Sequence, residues 1–96
     1  MQFNNPDRST KEQYDVDVLE EEGELNDLIV YNDDVNTFDH VIKCLIEICG
    51  HDAVQAEQCT LIIHYKGRCG VKRGEYEELR PMCEGLLDKG LSAVIE

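Results

Sequence analysis

The sequence predicts an α+β fold with the element order β-α-α-β-α-β. It is a two-layer sandwich, with three helices on one face of a three-stranded antiparallel sheet, preceded by a flexible acidic tail. Three observations predict this. Apolar residues recur at helical spacing in three separate stretches. Short β-prone runs bounded by turn residues lie between and around them. The core formers are concentrated beyond residue 24, whereas residues 1–24 carry eight acids against two bases.

Residues 1–24 hold few apolar side chains and no sustained period, so they read as a disordered acidic N-terminal tail. Residues 25–96 form the folded domain. Leu28-Ile29-Val30-Tyr31 is a buried strand, and Asn32-Asp33-Asp34 turns the chain out of it. Phe38, Val41, Ile42, Leu45, Ile48 and Cys49 then mark an amphipathic helix. Asn36 and Asp39 suggest a capping box at its start, and Gly50 a stop. Asp52 and Gln55 open a second helix that runs to about Lys66 and stops at Gly67. Ala56, Cys59, Thr60 and Ile63 share one of its faces, with His64 one turn beyond Thr60. Arg68–Lys72 reads as a charged edge strand. Glu75–Leu87 has helical spacing but contains Pro81, which is expected to kink or break it. After Gly90, Leu91–Ile95 supplies the last strand.

A chain of 96 residues is one domain. Its 21 acidic and nine basic residues give a formal charge of −12. That excludes nucleic-acid binding through phosphates and docking on anionic lipid. No apolar run approaches the roughly 20 residues of a membrane helix, and no signal-peptide pattern opens the sequence. The five cysteines include no CxxC pair and are odd in number. Reduced structural thiols in a cytoplasmic protein are therefore expected, with no metal and no cofactor.

Three polar features could carry chemistry: the Asn32-Asp33-Asp34 turn, His64, and the two combined. Asn and Asp are ordinary turn residues, because their side chains bond the local backbone. His64 alone could equally be a plain helix-end histidine. A hydrolase or metal site built from Asp33, Asp34 and His64 would lack a nucleophile motif and a phosphate loop.

The arrangement as a whole is more specific. Val30-Tyr31-Asn32-Asp33-Asp34, then Phe38-Asp39-His40-Val41, then Ile62-Ile63-His64-Tyr65-Lys66-Gly67, then Cys69-Gly70-Val71 resembles the ClpS family. These are adaptor proteins of the bacterial Clp protease, and the resemblance covers about residues 26–96. It implies a non-enzymatic protein that recognises N-degrons by a free N-terminal Leu, Phe, Tyr or Trp. It also implies delivery to the N-terminal domain of a Clp AAA+ unfoldase, ClpA- or ClpC-type, by a monomeric adaptor. Carried across, Asn32, Asp34 and His64, with Asp33 beside them, match the groups that hold the α-amino group. Asn36, Phe38, Val41, Thr60, Ile63 and Leu91 match positions lining the side-chain pocket. Glu75 and Arg80 match a face that contacts the unfoldase. Phe38 stands where the family commonly has methionine, and Asn36 where threonine is common. The rival expectation is an interaction module of the same fold with another partner, which would not need Asn32, Asp34 and His64 to converge.

Overall fold

The computed structural model describes residues 24–96, so the expected tail falls, except for Glu24, outside the described residues. Its elements are β1 (Asn26–Tyr31), α1 (Phe38–Cys49), α2 (Ala53–Lys66), β2 (Arg68–Gly74), α3 (Tyr76–Asp88) and β3 (Ser92–Ile95). The α+β sandwich read from the sequence is therefore the fold. β1 lies at the centre of the sheet, with β2 and β3 antiparallel on either side. No helix among the described residues is long and apolar enough to cross a membrane.

Alternation along β1 decides which face meets the helices. Leu28 and Val30 are fully buried and join the core with Leu45, Cys49, Ala56, Ile63, Leu79 and Leu86. Ile29 faces away from the helices, yet it is only 5% exposed. Tyr31 Oη donates to Glu96 Oε2 at 2.7 Å, and the Arg68 guanidinium donates to Glu96 Oε1 at 2.7 Å. Arg68 also stacks over the Tyr31 ring. Because Glu96 pairs with Asp27 through the backbone, a Tyr31–Glu96 bond must pass over Ile29. On β2 the partner of Ile29 is Gly70, where a Cβ would make only ordinary contact with Ile29 Cδ1 at 3.5 Å. The register shifts between Leu28 and Ile29, a bulge that lets Val71 join the core.

Two local expectations need correction. The cap of α1 is Thr37, not Asn36: Thr37 Oγ1 accepts from the His40 amide at 3.1 Å. Asn36 is committed elsewhere, as described below. Pro81 does not break α3, which runs through it from Tyr76 to Asp88. The donor lost at Pro81 would have served the Glu77 carbonyl. Both residues are exposed, so water can serve that carbonyl, while buried Leu79, Cys83 and Leu86 anchor the opposite side. Gly85 allows α3 to lie close to α1, since a Cβ there would meet Ile48 Cγ2 at 3.2 Å.

The start and stop of α2 are as expected. Asp52 accepts from the Gln55 amide at 2.7 Å, and Gly67 closes the helix in the left-handed region. Just before it, His51 is buried and donates from Nε2 to the Val71 carbonyl at 2.7 Å, tying the α1–α2 turn to β2. The five thiols are free. Burial pushes Cys49 and Cys69 up to about 11 and raises Cys44 and Cys83, so these four are packing groups rather than nucleophiles.

Candidate functional site

Where β1 ends, the chain must turn out of the sheet and enter α1 at the correct angle. Asp33 shapes that loop. Its Oδ1 accepts from the amides of Val35 and Asn36, both at 2.9 Å, and its Oδ2 from Asn36 Nδ2 at 2.8 Å. The Asn36 amide first, then that of Val35 and the Asn36 side chain, holds the Asp33 carboxyl below the ordinary carboxylate range. Asn36 Nδ2 also donates to the Gly90 carbonyl at 2.9 Å, strapping the loop to the turn before β3. Both hydrogens of the Asn36 carboxamide are thereby used.

A second tie sets the position of Asn32. Its amide donates to the Gly67 carbonyl at 2.9 Å, which holds the end of β1 against the turn that closes α2. His64 lies on the last turn of that helix. The side chains of Asn32, Asp34 and His64 make no hydrogen bond among the described residues. Two aromatic rings border the imidazole instead: Phe38 at 5.7 Å and Tyr65 at 4.8 Å between centroids, both edge-on.

Between the loop, α1 and α2 lies a cavity of about 300 Å³. This is the lower end of the roughly 300–1,000 Å³ typical of ligand pockets. Asn32, Asp33, Asp34 and His64 provide its polar side. Phe38 and Val41 from α1, and Thr60 and Ile63 from α2, provide an apolar wall. Thr60 is nearly fully buried, and its hydroxyl donates to the Ala56 carbonyl at 2.7 Å, so its methyl is left for the cavity. Asn36 and Thr37 complete the lining.

The site residues expected from the sequence thus divide by place. Leu91 borders a void of about 20 Å³ that shares Asn32, Asp33, Asn36, Val41 and Ile63 with the cavity, so it stands at the cavity's edge. Glu75 and Arg80 are not part of the pocket. Both are exposed at α3, five residues and so about 140° apart around a helix. Arg80 Nε donates to Glu84 Oε2 at 3.3 Å, an exposed pair one turn along. Thr37 was missed. Its signal was available: a threonine immediately before the first helical apolar residue is a favoured cap.

A half-polar, half-apolar slot, in which the side chains of Asn32, Asp34 and His64 make no hydrogen bond among the described residues, has the chemistry to hold a ligand with one polar and one apolar part. Comparison with known proteins points to a family of adaptors. The family model described as ATP-dependent Clp protease adaptor protein ClpS matches residues 21–94. The ATP-dependent Clp protease adapter protein ClpS of Thermosynechococcus vestitus (strain NIES-2133 / IAM M-273 / BP-1) is 39% identical over 66 residues, 68% of this chain and 70% of that protein. The chain belongs to the ClpS family of Clp protease adaptors.

Proposed function

We propose that this protein binds other proteins by a free N-terminal residue and delivers them to a Clp AAA+ unfoldase for degradation. The observation that carries the reading is that Asn32, Asp34 and His64, whose side chains make no hydrogen bond among the described residues, line one half-polar, half-apolar cavity. A free α-amino group has a pKa near ~8 and is mostly an ammonium at neutral pH. Its three donors require three acceptors and favour nearby negative charge. An amide oxygen, a carboxylate and a neutral imidazole nitrogen provide them. The first side chain then enters between Phe38, Val41, Thr60 and Ile63. A large apolar residue such as Leu, Phe, Tyr or Trp suits such a wall.

Three charge-assisted bonds at about 1.5–3 kcal/mol each and one buried side chain at about 1.5–3 kcal/mol give a gross gain of about 6–12 kcal/mol. Ordering costs reduce it, so a micromolar dissociation constant, about −8 kcal/mol, is expected. A grip of that strength releases its cargo readily, as delivery requires. The partner is the N-terminal domain of a ClpA- or ClpC-type unfoldase, met at exposed positions of α3 that include Arg80 and, at the start of the helix, Glu75.

The test is a set of peptides identical except for their first residue, measured by fluorescence anisotropy. Leu, Phe, Tyr and Trp should bind at micromolar concentration, and Ser, Gly and Glu should bind at least tenfold more weakly. Equal affinity across the set would contradict the reading.

A further inference from the structure

Tyr65 is 76% exposed, so its ring contributes little to the core. Its neighbours on the helix point away from it: successive residues diverge by about 100° around an α-helix, and adjacent side chains do not ordinarily face each other. Nevertheless its ring lies 4.8 Å from that of His64 at an interplanar angle of 79°. Phe38 meets the same imidazole at 5.7 Å and 76°. Both are within the geometry of favourable edge-to-face pairs. No hydrogen bond orients this ring among the described residues, and His64 is itself exposed. Without these contacts the imidazole would be free to exchange among its rotamers, and fixing it would count against every binding event.

We propose that Tyr65 is a positioning residue for amino-terminus recognition. With Phe38 it holds the His64 imidazole edge-on, so that a ring nitrogen is already placed to accept from a bound ammonium. Tyr65 acts through His64 and makes no contact of its own with the guest. The proposal rests on the reading of this cavity as an amino-terminus site. Its chemistry needs the aromatic ring and not the hydroxyl.

Four variants test it: Tyr65→Ala, Tyr65→Phe, His64→Ala and the double variant His64→Ala/Tyr65→Ala. The peptide begins with Leu, so the guest's own side chain brings no ring. Tyr65→Ala should weaken binding about three- to tenfold with an unchanged melting temperature, and Tyr65→Phe should bind as the wild type does. In the unliganded protein, the His64 ring-proton NMR signals should move in Tyr65→Ala and stay in place in Tyr65→Phe. In the His64→Ala background, Tyr65→Ala should cost nothing further. Wild-type affinity in Tyr65→Ala would overturn the proposal, as would an undiminished loss in the His64→Ala background, which would place Tyr65 on the peptide itself. Failure of the underlying reading looks different: wild-type protein would then bind free and acetylated peptides equally, and the proposal would fall with it.

Discussion

The proposed recognition turns on Phe38 and His64. Phe38 is 39% exposed at the start of α1, so it is neither a plain core residue nor a plain surface one. Helical spacing placed it on the buried face with Val41 and Ile42, and the cavity explains the difference: the ring closes a space that the protein's own core does not fill. A phenyl ring adapts to different guests less easily than a flexible thioether would. It offers an edge or face to an aromatic guest, worth about 0.5–1.5 kcal/mol beyond area. Peptides beginning with Phe or Tyr should therefore outbind Leu, and Ile and Val should be rejected. Phe38→Ala should admit Ile and Val and weaken Phe, as read by anisotropy on both proteins. An unchanged ranking with a lowered melting temperature would make Phe38 a core residue. For His64, replacement by Ala should weaken binding at least tenfold without unfolding the domain.

At the scale of elements, the loop from β1 to α1 sets the pocket, and its lock is Asp33. Two adjacent aspartates are indistinguishable in a sequence, so nothing there could assign Asp33 to the loop and leave Asp34 free. Only the bonds to Val35 and Asn36 separate them. The lock is pH-dependent. Asp33 has a folded-state pKa below its ordinary value, so its stabilisation is present above the unfolded-state pKa and is lost as pH falls through the folded one. The Val35 and Asn36 amide signals should accordingly shift and lose exchange protection in strong acid, and Asp33→Asn should abolish that titration. In α2 the signals were local and complete: Asp52 before the helix, Gly67 after it, and an apolar inner face between. The cap of α1 was less legible because Asn36 and Thr37 are both good capping residues. A contact with Gly90, 54 positions away, decided between them. Pro81 shows the same limit in α3, where burial of Leu79, Cys83 and Leu86 outweighs a local penalty. Pro81→Ala should restore one backbone bond and stabilise the domain by about 1–3 kcal/mol, seen as a higher melting temperature.

In the whole molecule, the cavity is built by residues 32–64 and held by two long-range ties, Asn32 to Gly67 and Asn36 to Gly90. Residues 1–23 lie outside the described residues; as an acidic segment with few apolar side chains they are expected to add little to peptide binding, so removing them should leave peptide affinity unchanged, and the family resemblance assigns them to delivery instead. Affinity that falls on truncation while degradation persists would reverse that division. The order of elements was legible because hydrophobic period and turn residues are local properties. The cavity was not legible from those properties alone, since its walls come from separate helices and only the family resemblance joined them in advance. The central claim is that the protein grips a charged amino group, and one measurement addresses it directly: the affinity of a Leu- or Phe-starting peptide with its N-terminus free and then acetylated. Acetylation removes the charge and leaves Asn32, Asp34 and His64 unpaired, at about 1–3 kcal/mol for each lost partner. Binding should fall by tenfold at the least and become undetectable at micromolar concentration, whereas equal affinity of the two peptides would contradict amino-terminus recognition.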